Sequence, residues 1–487
     1  MNRRHALKTI TLGAASTLTM PAVSRPGNRS RRGRPNLLVI LSDQHAARWC
    51  GYHGDPTVLT PNLDRLAGQG VVFDSAYCNS PICVPSRMAF LTGRHVQHIG
   101  IWDNHTILPS ETPTFAHGLT RAGYDVVLNG KMHFRGPDKL HGFRAQLSAD
   151  PAGDDPGSFP IPCWREGGGV DVRGGTELRF GEGIGKQEDY EAEAAAVRYL
   201  EDPARRAQPW AMVVGIYAPH PPWQAQRQYL DQYRIAEVPL PYWPDGYMER
   251  QHAVHRRKRE LWQKAEFPDE MVRGARHTYF ALTTRVDDQI GRILAALQRS
   301  GQLEDTLVVY TSDHGEMLGE HALWNKSSLL EESAHVPMIF SWPGTLPAGK
   351  RVPGCVSLVD LTATLLAAGG AQLDLPLDGH SLLELAAGRA TAWPDEAIIE
   401  LYATWTDRPI AMLRRGRYKL HLSHQEPPQL YNLEYDPREF HDLAPDPAHA
   451  GILADLTRRL TSRWDSDQLN QRVLESQDQR LAESSRG

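Results

Sequence analysis

Cysteine is scarce in this chain: Cys50, Cys78, Cys83, Cys163 and Cys355 are the only thiols among 487 residues. An odd, sparse set is not a disulfide framework, and at least one thiol stays unpaired whatever the others do. No surplus of positive charge is present either. The formal net charge of −5 gives no case for a nucleic-acid or anionic-membrane partner. The one N-terminal apolar run, residues 9–22, is too short and too rich in Thr, Ser and Gly to span a bilayer. No stable membrane insertion is therefore expected. Internal repeats and coiled-coil heptads are absent. What remains is 41% hydrophobic and 23% charged, the composition of a globular protein with a large core.

The N-terminus reads as an address. Arg3 and Arg4, followed by Leu7 and Lys8, resemble a twin-arginine export signal. A disordered basic N-terminus is the competing reading, and the arginines of 29–34 fit it. The folded chain is expected to begin at Asn36. Residues 37–41 (LLVIL) form a short continuous apolar run, as in a strand buried on both faces. Similar runs fall at 124–128, 211–216, 306–310 and 336–340. Helical patterns lie between them at 61–66, 189–200 and 271–297. Alternating buried strands and amphipathic helices predict an α/β fold: a large, mostly parallel sheet sandwiched by helices. Residues 151–185, rich in Gly, Pro and Asp, read as a surface excursion. Short strands at 397–402, 409–414 and 418–422, with a helix over 448–464, predict a smaller C-terminal α+β unit. The expected boundaries are 1–35 for signal and linker and 36–390 for the catalytic domain. Residues 391–475 form the antiparallel-sheet subdomain, and 476–487 a mobile tail.

Polar residues follow the C-terminal ends of the predicted strands, where open α/β sheets place ligands. Asp43 follows the first, Lys131 and His133 the second, His220 the third, Asp313 and His314 the fourth. The strongest local signal is Cys83-Val84-Pro85-Ser86-Arg87, continuing to Leu91-Thr92-Gly93-Arg94. Pro85 suits the first turn of a helix, which would put residue 83 at a helix N-terminus, a site that favours an anion. A lone thiol is more often a buried structural residue. A cysteine phosphatase would need an arginine six positions on, and Ala89 stands there.

The cysteine segment resembles the signature of the formylglycine-dependent type I sulfatases, which have an alkaline-phosphatase-like fold. The resemblance implies that a formylglycine-generating enzyme oxidises Cys83 to an aldehyde. One hydroxyl of its hydrate attacks sulfur, and collapse of the other expels sulfate. It further implies one divalent cation held by Asp43, Gln44, Cys83 once modified, Asp313 and His314. Gln44 stands where arylsulfatases often have a second aspartate, and His314 where they often have asparagine. Calcium is the first expectation, with manganese or magnesium as alternatives. Gly130-Lys131-Met132-His133, His220 in A-P-H-P-P-W and Lys326 in L-W-N-K-S-S match the family's sulfate-binding elements. They imply that Lys131, His220 and Lys326 bind the sulfuryl oxygens. Arg87 would lie close to the diol, and His133 would act as a base. His220 or Lys326 would serve as the leaving-group acid. Asn104 would bind substrate.

The resemblance spans about residues 36–479 and is nearest to choline-sulfatase-like members. It rests on F-D-S-A-Y-C-N-S-P (73–81), G-K-M-H-F-R-G-P-D-K-L-H-G-F (130–143), S-D-H-G-E-M-L-G-E (312–320) and Asp103-Asn104. The expected activity is hydrolysis of a sulfate monoester of a carbohydrate or small organosulfate by a periplasmic enzyme. Choline sulfatase is one alternative, with Trp102, Trp164, Trp223 and Trp324 as material for an aromatic cage. A phosphonate monoester or phosphodiester hydrolase of the same superfamily is another. A metal-binding scaffold with an unmodified Cys83 is the non-enzymatic one.

Overall fold

A computed structural model describes residues 33–152, 178–262 and 267–484. The twin-arginine segment, Cys163, Trp164 and most of the 151–185 excursion lie outside the described residues. The centre of the molecule is an eight-stranded sheet. Its strands are β1 (Asn36–Asp43), β2 (Val71–Tyr77), β3 (Asp125–Gly130), β4 (Ala145–Gln146), β6 (Trp210–Pro219), β8 (Thr306–Ser312), β9 (Met338–Ser341) and β10 (Lys350–Ser357). They lie in the order β10-β2-β9-β8-β1-β6-β3-β4. Only β9 pairs antiparallel, with β2 and β8, so the sheet is mostly parallel as expected. A short pair, β5 (Phe180–Glu182) with β7 (Trp223–Ala225), stands apart from it.

Every residue of β1 is buried, and the two-residue period of the strand divides its side chains between two cores. Leu38 and Ile40 enter one hydrophobic cluster with Met212, Val308 and the long helix Asp269–Arg299. Leu37, Val39 and Leu41 enter the other, with the helices Cys83–Thr92 and Leu358–Gly369. Such a strand has no polar face, which is why it reads as an unbroken apolar run. β2 and β10 escape that reading. Asp74 and Ser75 interrupt β2 with half-buried positions. β10 is an edge strand whose register shifts between Val352 and Cys355, around Pro353 and Gly354.

The C-terminal unit is an antiparallel meander of β11 (Glu396–Leu401), β12 (Ile410–Arg415), β13 (Tyr418–Ser423) and β14 (Gln429–Asn432). The helix Ala450–Thr461 packs on it. One expectation needs correction. Residues 476–484 are not a mobile tail but the second half of the helix Ser466–Ser484. Leu469 and Val473, one turn apart, are 1% and 0% exposed in the cluster beneath the meander. Arg480 forms a double hydrogen bond to Asp103, 3.0 and 2.8 Å. The segment is polar on one face only, and its composition hides the apolar stripe. Leu469→Ala is expected to lower unfolding free energy by about 2–5 kcal/mol in a denaturant titration. Deletion of residues 476–487 should lower it too, whereas loss of a mobile tail would leave it unchanged.

Candidate active site

Five chain segments meet at the C-terminal edge of the parallel strands. Asp43 is the last residue of β1, and Asp313 and His314 follow β8 directly. Lys131 follows β3, and His220 follows β6. Cys83 opens the fully buried helix Cys83–Thr92. The Lys131 loop lies there because two glycines allow it. A Cβ on Gly215 of β6 would meet the Lys131 carbonyl oxygen at 1.8 Å, and Gly130 adopts φ +74°.

The Cys83 Sγ lies 3.2 Å from His314 Nε2, 3.2 Å from Lys326 Nζ and 3.9 Å from Asp43 Oδ1. One ligand atom each from Asp43, Cys83, Asp313 and His314 falls within 4.8 Å of the others. Arg87 organises the two carboxylates. Its Nε donates to Asp313 Oδ2 at 2.7 Å, one terminal nitrogen to Asp43 Oδ2 at 3.1 Å, and the other to the Lys131 carbonyl at 2.7 Å. Lys131 Nζ also reaches Asp43 Oδ2, at 2.6 Å. The outer oxygens of both carboxylates are thus spent on cations, and Asp43 Oδ1 faces the centre, 3.7 Å from His314 Nε2. His314 Nδ1–H donates to the Gly315 carbonyl at 3.0 Å, which leaves Nε2 as the ring atom facing the same centre. Buried carboxylate oxygens and an oriented imidazole nitrogen form a donor set that fits a divalent cation.

The charges respond to this crowding. Burial pushes the Asp43 carboxyl up, but the neighbouring cations, Lys131 foremost, outweigh it and hold the group well below the usual carboxylate range. Burial also opposes ionisation of Arg87 and Lys131, yet Asp313 and Asp43 overcompensate and raise both. For His314, burial favours the neutral ring, and Asp313 more than offsets it. A proton there takes the place a cation would occupy. His220 and His133 go the other way. Burial, reinforced by Lys326 at His220 and by Lys131 at His133, holds both neutral. His220 Nδ1–H donates to the Pro221 carbonyl at 2.6 Å, so Nε2 is left as the acceptor.

The structure thus brings Asp43, Cys83, Arg87, Lys131, Asp313, His314 and Lys326 into direct contact. His133 adopts φ +66° beside Lys131, with Nδ1 buried and unpartnered. Gln44, at φ +70°, accepts a hydrogen bond from Lys326 Nζ at 2.7 Å through Oε1, and its amide donates to Glu316. A left-handed backbone at two non-glycine residues stores about 1–3 kcal/mol each, the strain found where side-chain placement matters more than stability. The Arg87 donors described above go to the two carboxylates and to a carbonyl. Asn104 Oδ1 accepts from the Val84 backbone N–H at 2.9 Å, so it caps the Cys83 helix. Trp102 belongs to a different hydrophobic cluster from Trp223 and Trp324, and Arg472 lies over its ring at 5.0 Å. These three do not surround one pocket.

Sequence reasoning missed four contributors. Glu316, buried and two residues past His314, receives the Gln44 amide. Asp150 receives the backbone N–H groups of Met132 and His133 at 2.9 and 2.6 Å. The Tyr217 ring lies 4.3 Å from Lys131 Nζ. Buried Lys258 donates to the Lys326 carbonyl, and burial lowers its ammonium to about 7. Only Glu316 carried a local signal, inside T-S-D-H-G-E.

The sulfatase family profile matches residues 35–371, and the profile described as N-sulphoglucosamine sulphohydrolase, C-terminal, matches residues 319–466. A choline-sulfatase of Rhizobium meliloti (strain 1021) is 33% identical over 475 residues, covering 92% of this chain and 90% of that protein. A solved phosphonate monoester hydrolase from Silicibacter pomeroyi has a TM-score of 0.73 at 28% identity, covering 89% of this chain and 96% of that one. A solved 2-O GAG sulfatase has a TM-score of 0.69 at 26% identity, covering 88% and 91%.

Two outcomes follow from the electrostatics. Arg87→Met leaves two buried carboxylates without their shared partner and is expected to cost about 3–5 kcal/mol of unfolding free energy by denaturant titration. Lys258 binds its proton more weakly folded than unfolded, so unfolding takes up a proton between about pH 7 and the ordinary lysine value of 10.5. Stability is therefore expected to rise with pH across that window. Urea midpoints of Lys258→Met should lack that rise.

Proposed function

The chain belongs to the sulfatase family and is a sulfuric ester hydrolase, and from that premise we propose that it cleaves a sulfate monoester with a formylglycine made from Cys83. The observation that carries the proposal is the convergence of Cys83 Sγ with the Asp43, Asp313 and His314 donors within 4.8 Å. No part of that arrangement serves a structural thiol. A formylglycine hydrate would supply the nucleophilic oxygen, and Asp43, Asp313, His314 and Gln44 would hold a divalent cation that would polarise it and offset sulfate charge. Calcium fits a site with two carboxylates, and manganese suits the imidazole.

Lys131 and Lys326 then bind the sulfuryl oxygens, where transition-state charge needs fixed donors, and His220 joins them only in the form protonated at Nε2. Lys326, 3.2 Å from the residue-83 side chain, is placed to give a proton to the departing alcohol. Buried, neutral His133 receives a proton when sulfate is released. Arg87 holds Asp43 and Asp313 in position rather than touching the ester. Asn104 supports the nucleophile by capping its helix. The substrate we favour is a sulfated carbohydrate or small organosulfate. The 28% identical phosphonate monoester hydrolase, together with the Asp43-Gln44 and Asp313-His314 pairs, supports phosphonate monoester hydrolysis as a second reading. We further propose that the N-terminal twin-arginine segment, which lies outside the described residues, exports the folded enzyme to the periplasm. No described helix is long and apolar enough to cross a membrane.

Protein made with a formylglycine-generating enzyme is expected to yield a residue-83 peptide that has exchanged its sulfur and two hydrogens for one oxygen. Absence of that species by mass spectrometry would sink the mechanism. Cys83→Ala is expected to bring turnover to the uncatalysed background. A wild-type preference of several orders for an aryl phosphonate monoester over an aryl sulfate would replace the first reading with the second.

A further inference from the structure

Beside His220 lies a cavity of about 230 Å3, with Lys186, Tyr217, Gln224, Leu282 and Arg285 among its walls. Pockets for drug-sized ligands run to about 300–1,000 Å3, so this one suits a single ring. On the reading above, the sulfuryl group lies among Lys131, His220 and Lys326. The alcohol it is bonded to must then extend past one of them, and the His220 side offers the space.

The walls of that space carry an unmatched positive charge. The Arg285 charge is matched: one terminal nitrogen donates to Asp189 at 2.6 Å and the other to the Ile184 carbonyl at 3.2 Å, though Nε has no partner. Lys131 lies 4.3 Å from the Tyr217 ring but is neutralised by Asp43 at 2.6 Å. Lys186 lies 5.0 Å from the same ring, and no carboxylate among the described residues pairs with it. Its ammonium is half-buried against an aromatic face, which favours a cation without satisfying its N–H donors. Gln224 adds an exposed side-chain amide suited to a hydroxyl. A cationic alcohol such as choline meets repulsion here. An alcohol with its own anionic oxygen finds both a charge partner and donors.

Resting on the sulfatase reading, we propose that this cavity takes the alcohol portion of the substrate and that Lys186 selects an alcohol bearing a second oxyanion, a carboxylate or another sulfate. Lys186 does not touch the reacting atoms, so it sets specificity and its effect falls on KM more than on kcat.

The test uses the full chain, formylglycine-modified and loaded with a divalent cation. It measures kcat/KM for para-nitrophenyl sulfate, a ring-carboxylated analogue, nitrocatechol disulfate and choline sulfate. Wild type should favour the carboxylated ester, the disulfate or both over the uncharged ester, and whichever is favoured identifies the oxyanion. Lys186→Gln should lower that ratio about tenfold, mainly through KM. Lys186→Glu should lower it further and raise choline sulfate relative to the anionic esters, and Lys186→Arg should retain the wild-type ratio. Ratios unchanged in both the Gln and Glu variants would overturn the subsite while leaving the sulfatase reading intact. Wild type that cleaves none of the sulfates would overturn both.

Discussion

The site depends on one guanidinium. Arg87 is fully buried, as are the Asp43 and Asp313 carboxylates it joins. Two carboxylates aimed at one centre repel each other strongly at low dielectric, and neither has water to screen it. A planar fork with donors in fixed directions holds both without blocking their inner oxygens, which a lysine's point charge would not do. The spacing of the cysteine motif follows from this. Cys83, Ser86 and Arg87 stand at i, i+3 and i+4 of one helix and so share a face. Ser86 Oγ donates to the Asp313 carbonyl at 2.5 Å, and Arg87 takes the Asp313 side chain. The residue-83 side chain is thereby fixed to the end of β8 through two neighbouring residues.

That fixation extends outward along a chain of polar contacts. The free N–H of Val84, in the first turn of the Cys83 helix, is capped by Asn104. Asp103 next to it is held by Arg480 and by the backbone N–H groups of His105 and Thr106. Arg480 comes from the last helix of the chain. A C-terminal unit with its own sheet thus reaches to within two residues of the cap on the Cys83 helix. Truncation of that helix removes a constraint on the site, not merely an appendage.

The parts legible in the sequence were those encoded locally. β1, β3, β6 and β8 are buried on both faces and so read as apolar runs. The residues at their ends stood out because a strand terminus in a parallel sheet is where a polar side chain has space. The cysteine motif was legible because its own residues, Cys83, Ser86 and Arg87, lie within about one helical turn. The illegible parts depend on distant segments. Lys258 looks like a surface lysine on a basic helix until the fold buries it against the Lys326 carbonyl. Tyr217 reads as one more strand residue until the Gly130–Gly215 contact brings Lys131 over its ring. The 466–484 helix was lost because its stripe of Leu469 and Val473 is too narrow to outweigh its polar composition.

The same reasoning decides where specificity must lie. A sulfate monoester and a phosphonate monoester both carry one negative charge near neutral pH. They present similar tetrahedral centres to the same nucleophile. The proposed cradle of Lys131 and Lys326 matches that charge in either case, so it discriminates poorly between sulfur and phosphorus. A family with one reactive centre can therefore contain hydrolases of both kinds on one fold, and the relatives of this chain include both. What distinguishes members has to be read away from the metal ligands, from groups that meet the alcohol. In this chain the proposed groups lie on the His220 side, where the loop after β6 and the start of the helix Gln187–Glu201 frame a small cavity. Neither segment belongs to the motifs that identify the family, and this explains why the motifs reveal the reaction and leave the substrate open.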